Sequence, residues 1–445
     1  MSNIKLLCAA FAFLLGAHCL AADPVPRPNL HGVVTDDSGK PVEGATIYIW
    51  TAAVKTGFST FCPSCYADCG KRAKSGPDGA FQIPSLDPDL KFVVLTVRDG
   101  YAPTFASKVD PVKGESLAVK LPARPIPANS EHALRGTIVD QSGKPIPGAW
   151  TRLNMVNFTD ENGQPSGRGG SVDGLDPIAI ANDKGEFTIV YSKHPITGCD
   201  IELGARGFAT RRLNGMSASQ FPIEVTLRDG GMIRGRLMHN GKPVPNAQMV
   251  LTCKVREMSR WLGDAQIGTN ENGEFLFSNV AIYEDGPSDW YLAAAMDSIK
   301  DRGGTTPIVV TVSRNGEDVV APDIEVKPGH KVTGRVVMPD GIAIPEGSRV
   351  FIDSDTSWDQ QHAKLDSTGR FEFTGLWNGK FEIHPSIKGY QVVGRPIGTW
   401  FPPDILIDNA DVINFELKLE PTTPRTPRPT PQPSSQPPSQ QPAPK

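Results

Sequence analysis

The sequence repeats itself at the spacing of a whole domain, and no other feature restricts its fold so tightly. Gly32 opens Gly-Val-Val-Thr-Asp-Asp-Ser-Gly-Lys-Pro-Val-Glu-Gly-Ala, and Gly136 opens Gly-Thr-Ile-Val-Asp-Gln-Ser-Gly-Lys-Pro-Ile-Pro-Gly-Ala. A copy one residue shorter begins at Gly235, and a looser one at Gly334. The starts lie 104, 99 and 99 residues apart, well beyond the roughly 20–50-residue period of solenoids. Each copy also has the same second half, a turn followed by an aromatic strand. These are Pro77-Asp78-Gly79-Ala80-Phe81, Asp183-Lys184-Gly185-Glu186-Phe187, Glu271-Asn272-Gly273-Glu274-Phe275 and Ser367-Thr368-Gly369-Arg370-Phe371. Asp or Asn one or two residues before Gly suits the left-handed backbone of a tight hairpin. Gly100-Tyr101, Gly207-Phe208 and Gly389-Tyr390 follow in three of the copies.

Alternation assigns the faces. Ala45, Ile47 and Ile49 fall on one side of a strand, with Thr46, Tyr48 and Trp50 on the other. Period-2 strands between frequent turns predict antiparallel sandwiches of about seven strands per unit. Abundant glycine (44) and proline (41) agree with many short strands joined by tight turns.

The run Gly-x-Val-x-Asp-x-x-Gly-x-Pro-x-x-Gly-Ala, then Asp-x-x-Gly-x-Phe, then Gly-Tyr, resembles the carboxypeptidase regulatory-like domain family. The resemblance extends over about residues 30–420, strongest in the first two copies and weakest in the third. It implies a transthyretin-like (prealbumin-like) sandwich and an accessory, non-catalytic role. The zinc ligands of carboxypeptidases belong to a separate domain with no counterpart here. The expected architecture is all-β: four tandem Ig-like or transthyretin-like antiparallel β-sandwich domains at 28–124, 131–229, 231–328 and 330–420. A disordered, proline-rich tail is expected over 421–445, where 10 of 25 residues are proline.

Residues 1–21 read as a cleaved signal peptide: Lys5, an apolar run from Leu6 to Leu15, then small residues at Ala21 and Ala22. The run is too short to span a bilayer, and no later segment suffices. The expected location is secreted or periplasmic, where disulfides persist. Net charge is −4, with no basic run to track phosphates, so nucleic acid is not an expected partner. A polysaccharide or another envelope protein is.

The most unusual segment is Cys62-Pro-Ser-Cys65-Tyr-Ala-Asp-Cys69. Three readings stand: a disulfide staple with one cysteine left over, a metal site, or a redox-active Cys-x-x-Cys pair. If a staple forms, Cys62–Cys69 or Cys65–Cys69 is expected to close more easily than the tight Cys62–Cys65 ring. Metal binding would lack a fourth donor, because no histidine is near. Cys199 and Cys253 share parity with apolar neighbours and read as core thiols. Tyr48 and Trp50, on the outer face, are the candidate sugar-stacking residues, with packing at a contact as the alternative. Asp353, Asp355, Ser357 and Asp359 offer the alternating oxygens of a calcium loop, but the glycine and the bidentate glutamate are missing, so a solvated loop is expected. There is no Gly-x-Ser-x-Gly, His-Glu-x-x-His or phosphate loop. No catalytic residue, metal ligand or cofactor is expected.

Overall fold

The computed structural model describes residues 26–126, 131–254, 265–282, 286–339, 341–354, 356–357, 359–394 and 404–422. The expected signal peptide and nearly all of the proline-rich tail lie outside these. The chain divides into two compact units. The first holds residues 26–55 and 68–123; the second holds Thr56–Ala67 and the chain from Arg124 onward.

The first unit is a two-sheet sandwich. Strand Leu30–Asp36 lies between Ala80–Ile83 and Leu117–Leu121. The facing sheet runs Arg72–Lys74, Thr46–Val54, Leu90–Val97, Thr104–Val109. Ala45, Ile47 and Ile49 are buried, as alternation requires, together with Phe92 and Val94 from the neighbouring strand.

The second unit repeats this plan three times. Ala133–Val139, Gly231–His239 and His330–Val337 each sit centrally in one sheet. Trp150–Thr159, Gln248–Cys253 and Arg349–Ser354 each sit centrally in the facing four-stranded path. In the second sandwich one apolar cluster draws Leu134, Ile138 and Phe187 from one sheet and Val156, Ile201 and Leu203 from the other.

Two features explain the repeated motif. In every copy the opening glycine stands opposite the phenylalanine of the second half: Gly32 and Phe81, Gly136 and Phe187, Gly235 and Phe275, Gly334 and Phe371. The ring lies over the glycine so closely that a Cβ there would sit 2.6–2.8 Å from a ring carbon. The second feature is the turn. Asp36 Oδ1 accepts from the Ser38 amide and hydroxyl and from the Lys40 amide. Asp140 and Asp366 repeat this with Ser142 and Lys144, and with Thr368 and Arg370. Asn182 and Asn270 do the same with amides alone. The serine hydroxyls foremost hold the carboxyls of Asp36 and Asp140 below the ordinary value, and the Arg370 amide foremost does so for Asp366.

The sheets depart from a purely antiparallel pattern at one place. In each sandwich the closing strand runs parallel to the opening one, as Leu117–Leu121 does to Leu30–Asp36. The intervening chain crosses to the other sheet and back, which supplies the long connection a parallel pair needs.

Candidate functional site

The cysteine loop owes its geometry to a tight turn. Cys62-Pro63-Ser64-Cys65 closes with the Cys65 amide donating to the Cys62 carbonyl at 2.9 Å, and proline presets the dihedral that such a turn needs at its second position. The two Cα atoms come within 5.0 Å, and Cys62 and Cys65 are disulfide-bonded. This corrects the pairing expected from ring size. Cys69, expected to be one partner, is instead buried at 2% exposure, beyond the turn that joins the other two.

The loop is well held within the second unit. The Gly268 amide donates to the Ser59 carbonyl at 2.5 Å, and the Phe58 amide to Asn246 Oδ1 at 3.0 Å. A Cβ at Gly268 would lie 2.8 Å from that of Phe58, so the approach depends on glycine. Cys65 Sγ lies 3.8 Å from the Ser278 hydroxyl, and Arg206 reaches the Tyr66 carbonyl at 3.5 Å. Phe61 meets Tyr66 edge-on and remains 56% exposed.

In the first unit, Tyr48 and Trp50 lie half-buried on one strand, away from the core face. Trp50 sits where the register shifts and meets Phe105 edge-on at 6.4 Å. Leu95 stands opposite both Tyr48 and Phe105 on the flanking strands, and it is fully buried. Cross-strand neighbours on one face are close enough to touch, so the aromatics help to cover Leu95. Packing thus accounts for at least part of their presence. Phe105 was not singled out in the sequence, because only its partners across the sheet mark it.

Cys199 and Cys253 are buried core thiols, and burial pushes the Cys199 thiol up to about 12, far from a reactive thiolate. The expectation of a solvated loop after Asp353 needs correction. Asp353 ends in strand Arg349–Ser354, and Asp359 begins strand Asp359–Lys364 and is 8% exposed. Asp355 lies outside the described residues. Among the described residues, no three His, Cys, Asp or Glu side chains are grouped to hold a metal ion.

Among the described residues four carboxylates are buried, three of them not singled out in the sequence, and each faces structural donors. In the first unit Asp68 accepts from Arg27 at 2.9 Å and from the Asp87 amide at 2.7 Å, with Lys71 2.7 Å away. Glu202 is bound by Arg152 and Asn154. Arg124, in the linker before the second sandwich, donates to the Gly174 carbonyl at 2.8 Å and to Asp176 at 3.0 Å. Burial pushes the Asp176 carboxyl up to about 6, against the pull of the Val190 amide and Arg124. Asp359 accepts from the amides of Met296 and Gln360.

No family model matches this chain, and no curated protein does. Among solved structures, the Bacillus anthracis TIE protein aligns over 85% of this chain and 68% of its own, at 13% identity and a TM-score of 0.17. GBS52, the minor pilin of Streptococcus agalactiae, aligns over 45% of this chain and 100% of its own, at 15% identity and a TM-score of 0.23. BcpA, the major pilin subunit of Bacillus cereus, aligns over 89% and 99%, at 8% identity and a TM-score of 0.17. At TM-scores this low, the likeness carries no function to this chain.

Proposed function

We propose that the chain is a non-catalytic, exported protein of tandem regulatory-like sandwiches, acting as a binding, adhesion or spacer module in the cell envelope or outside the cell. The observation that carries this reading is where the buried charge sits. Asp176 fastens the linker residue Arg124, and Asp359 fastens the Met296 segment that precedes the fourth sandwich. Buried carboxylates are costly unless paired or hydrogen-bonded, and within the second unit these two are taken up by structural donors, one on a linker residue and one at the approach to the fourth sandwich. A catalytic site would instead present such groups to a cleft beside a nucleophile or base. No helix among the described residues is long and apolar enough to cross a membrane.

The test is to recover the protein from the cells that make it and to assay it. We expect it outside the cytoplasm, beginning near Ala22, with no peptidase, esterase or glycosidase turnover above buffer. A cytoplasmic protein retaining Met1 would contradict the export reading. Reproducible turnover abolished by one point mutation would contradict the non-catalytic one.

A further inference from the structure

The third and fourth sandwiches, both within the second unit, meet at a joint made largely of backbone. A Cβ on Gly304 would lie 1.9 Å from the Gly375 carbonyl oxygen, and one on Gly329 would lie 2.6 Å from the Gly375 Cα. Side chains therefore cannot intervene there. Met296, which follows the strand Ser288–Ala294, is 2% exposed and belongs to the fourth sandwich's apolar cluster with Val332, Phe373 and Phe381. The Thr252 hydroxyl donates to the Ser357 carbonyl at 2.8 Å, and the Thr374 hydroxyl to the Lys300 carbonyl at 3.3 Å.

Asp359 is the one carboxyl buried inside this joint among the described residues. It comes from the fourth sandwich and accepts from the Met296 amide at the start of the turn Met296–Ile299. Ala295, just before that turn, offers no side-chain cap, so Asp359 serves in its place. Of the charged groups nearby, Asp297 and Asp353 act on it. Asp297 and Lys300 are on the turn, 3.0 Å from each other. His362, on Asp359's own strand, is 2.8 Å from Asp297. Asp353, on the neighbouring strand, is 3.2 Å from His384.

We propose that this joint is a pH-responsive latch, tight when Asp359 carries its proton and progressively looser as the pH rises to neutrality. Burial, reinforced by Asp297 and Asp353, pushes the Asp359 carboxyl up to about 7 against two amide donors. When the joint opens, water reaches the carboxyl and its ordinary acidity returns. The closed joint then holds a proton that the open one releases, so closure is fully favoured below the ordinary carboxylate range. It weakens by up to about tenfold per pH unit from there to about 7, and levels off above.

Hydrogen exchange on the full chain tests this, with rates corrected for intrinsic pH dependence. Protection at Met296 and Gly303–Gly304 should fall roughly 30-fold or more between pH 5 and 7.5. Protection in strands Arg349–Ser354 and Gly379–Ser386 should fall far less. Asp359→Asn should flatten the profile, and His362→Gln should leave most of it. Should Asp359→Asn fail to fold, Asp297→Asn takes its place and should move the midpoint to lower pH. A flat wild-type profile, a slope that survives Asp359→Asn, or a midpoint unmoved by Asp297→Asn would overturn the latch.

Discussion

Replacing Gly136 by alanine is expected to destabilise the second sandwich by about 2–3 kcal/mol, a large effect for one added carbon. The new Cβ would stand 2.6 Å from the Ile223 carbonyl oxygen and 2.7 Å from two carbons of the Phe187 ring. The carbonyl belongs to the parallel closing strand Ile223–Thr226 and cannot swing aside. The ring is 2% exposed and locked in the core, so it can yield only by disturbing its neighbours. Pairing Gly136→Ala with Phe187→Leu separates the two causes. Relief of the ring clash alone should make the double variant less unstable than the sum of the single changes. Denaturant titration of the three variants reads this directly. A Gly136→Ala protein as stable as wild type would mean that the glycine–phenylalanine pairing is not what fixes the motif.

Trp290→Ala is expected to cost the third sandwich about 3–5 kcal/mol. Trp290 is fully buried, and it is the largest such side chain among the described residues. It stands opposite Cys253 on one side and Val310 on the other, and it packs in a cluster with Ile233, Phe277 and Leu292. Truncation would leave a large void in a close-packed interior that collapses only in part. The third copy is the one that lacks the Gly-aromatic element, and this tryptophan gives its core much of its bulk. Thermal unfolding should show the third sandwich melting first, while Trp290→Phe should cost much less. A variant that melts with the wild type would show that the core does not rest on this residue.

How much of this was legible depended on how local each signal was. Alternation along residues 45–49 identified the buried face correctly, because strand parity is a property of the chain itself. The recurring Gly32, Gly136, Gly235 and Gly334 and the phenylalanines that follow were plain as repeats. That each pair meets across a sheet was not, since register is set by tertiary pairing. Nor does a period-2 pattern carry direction, which is why the parallel closing strand was invisible. The side-chain clamp on the turn was not foreseen: Asn182, Asn270 and Asp366, three residues before glycine, bind the amides. In the cysteine loop, ring size argued for Cys69, whereas the Pro63 turn brought Cys62 to Cys65. The buried roles of Asp176 and Asp359 were illegible for one shared reason. Their partners Arg124 and Met296 lie 52 and 63 residues away in sequence, and burial by a distant segment leaves no local mark.

The expectation of four separate domains makes one demand that can be checked in isolation. Every member of the second sandwich's apolar cluster, from Leu134 to Leu227, falls inside residues 131–229. That segment therefore carries both sheets and the whole of its core, which is what an independent domain requires. Expressed alone, residues 131–229 should give a β-rich circular dichroism spectrum and a single cooperative unfolding transition in denaturant. A disordered spectrum, or gradual unfolding without a transition, would contradict the account.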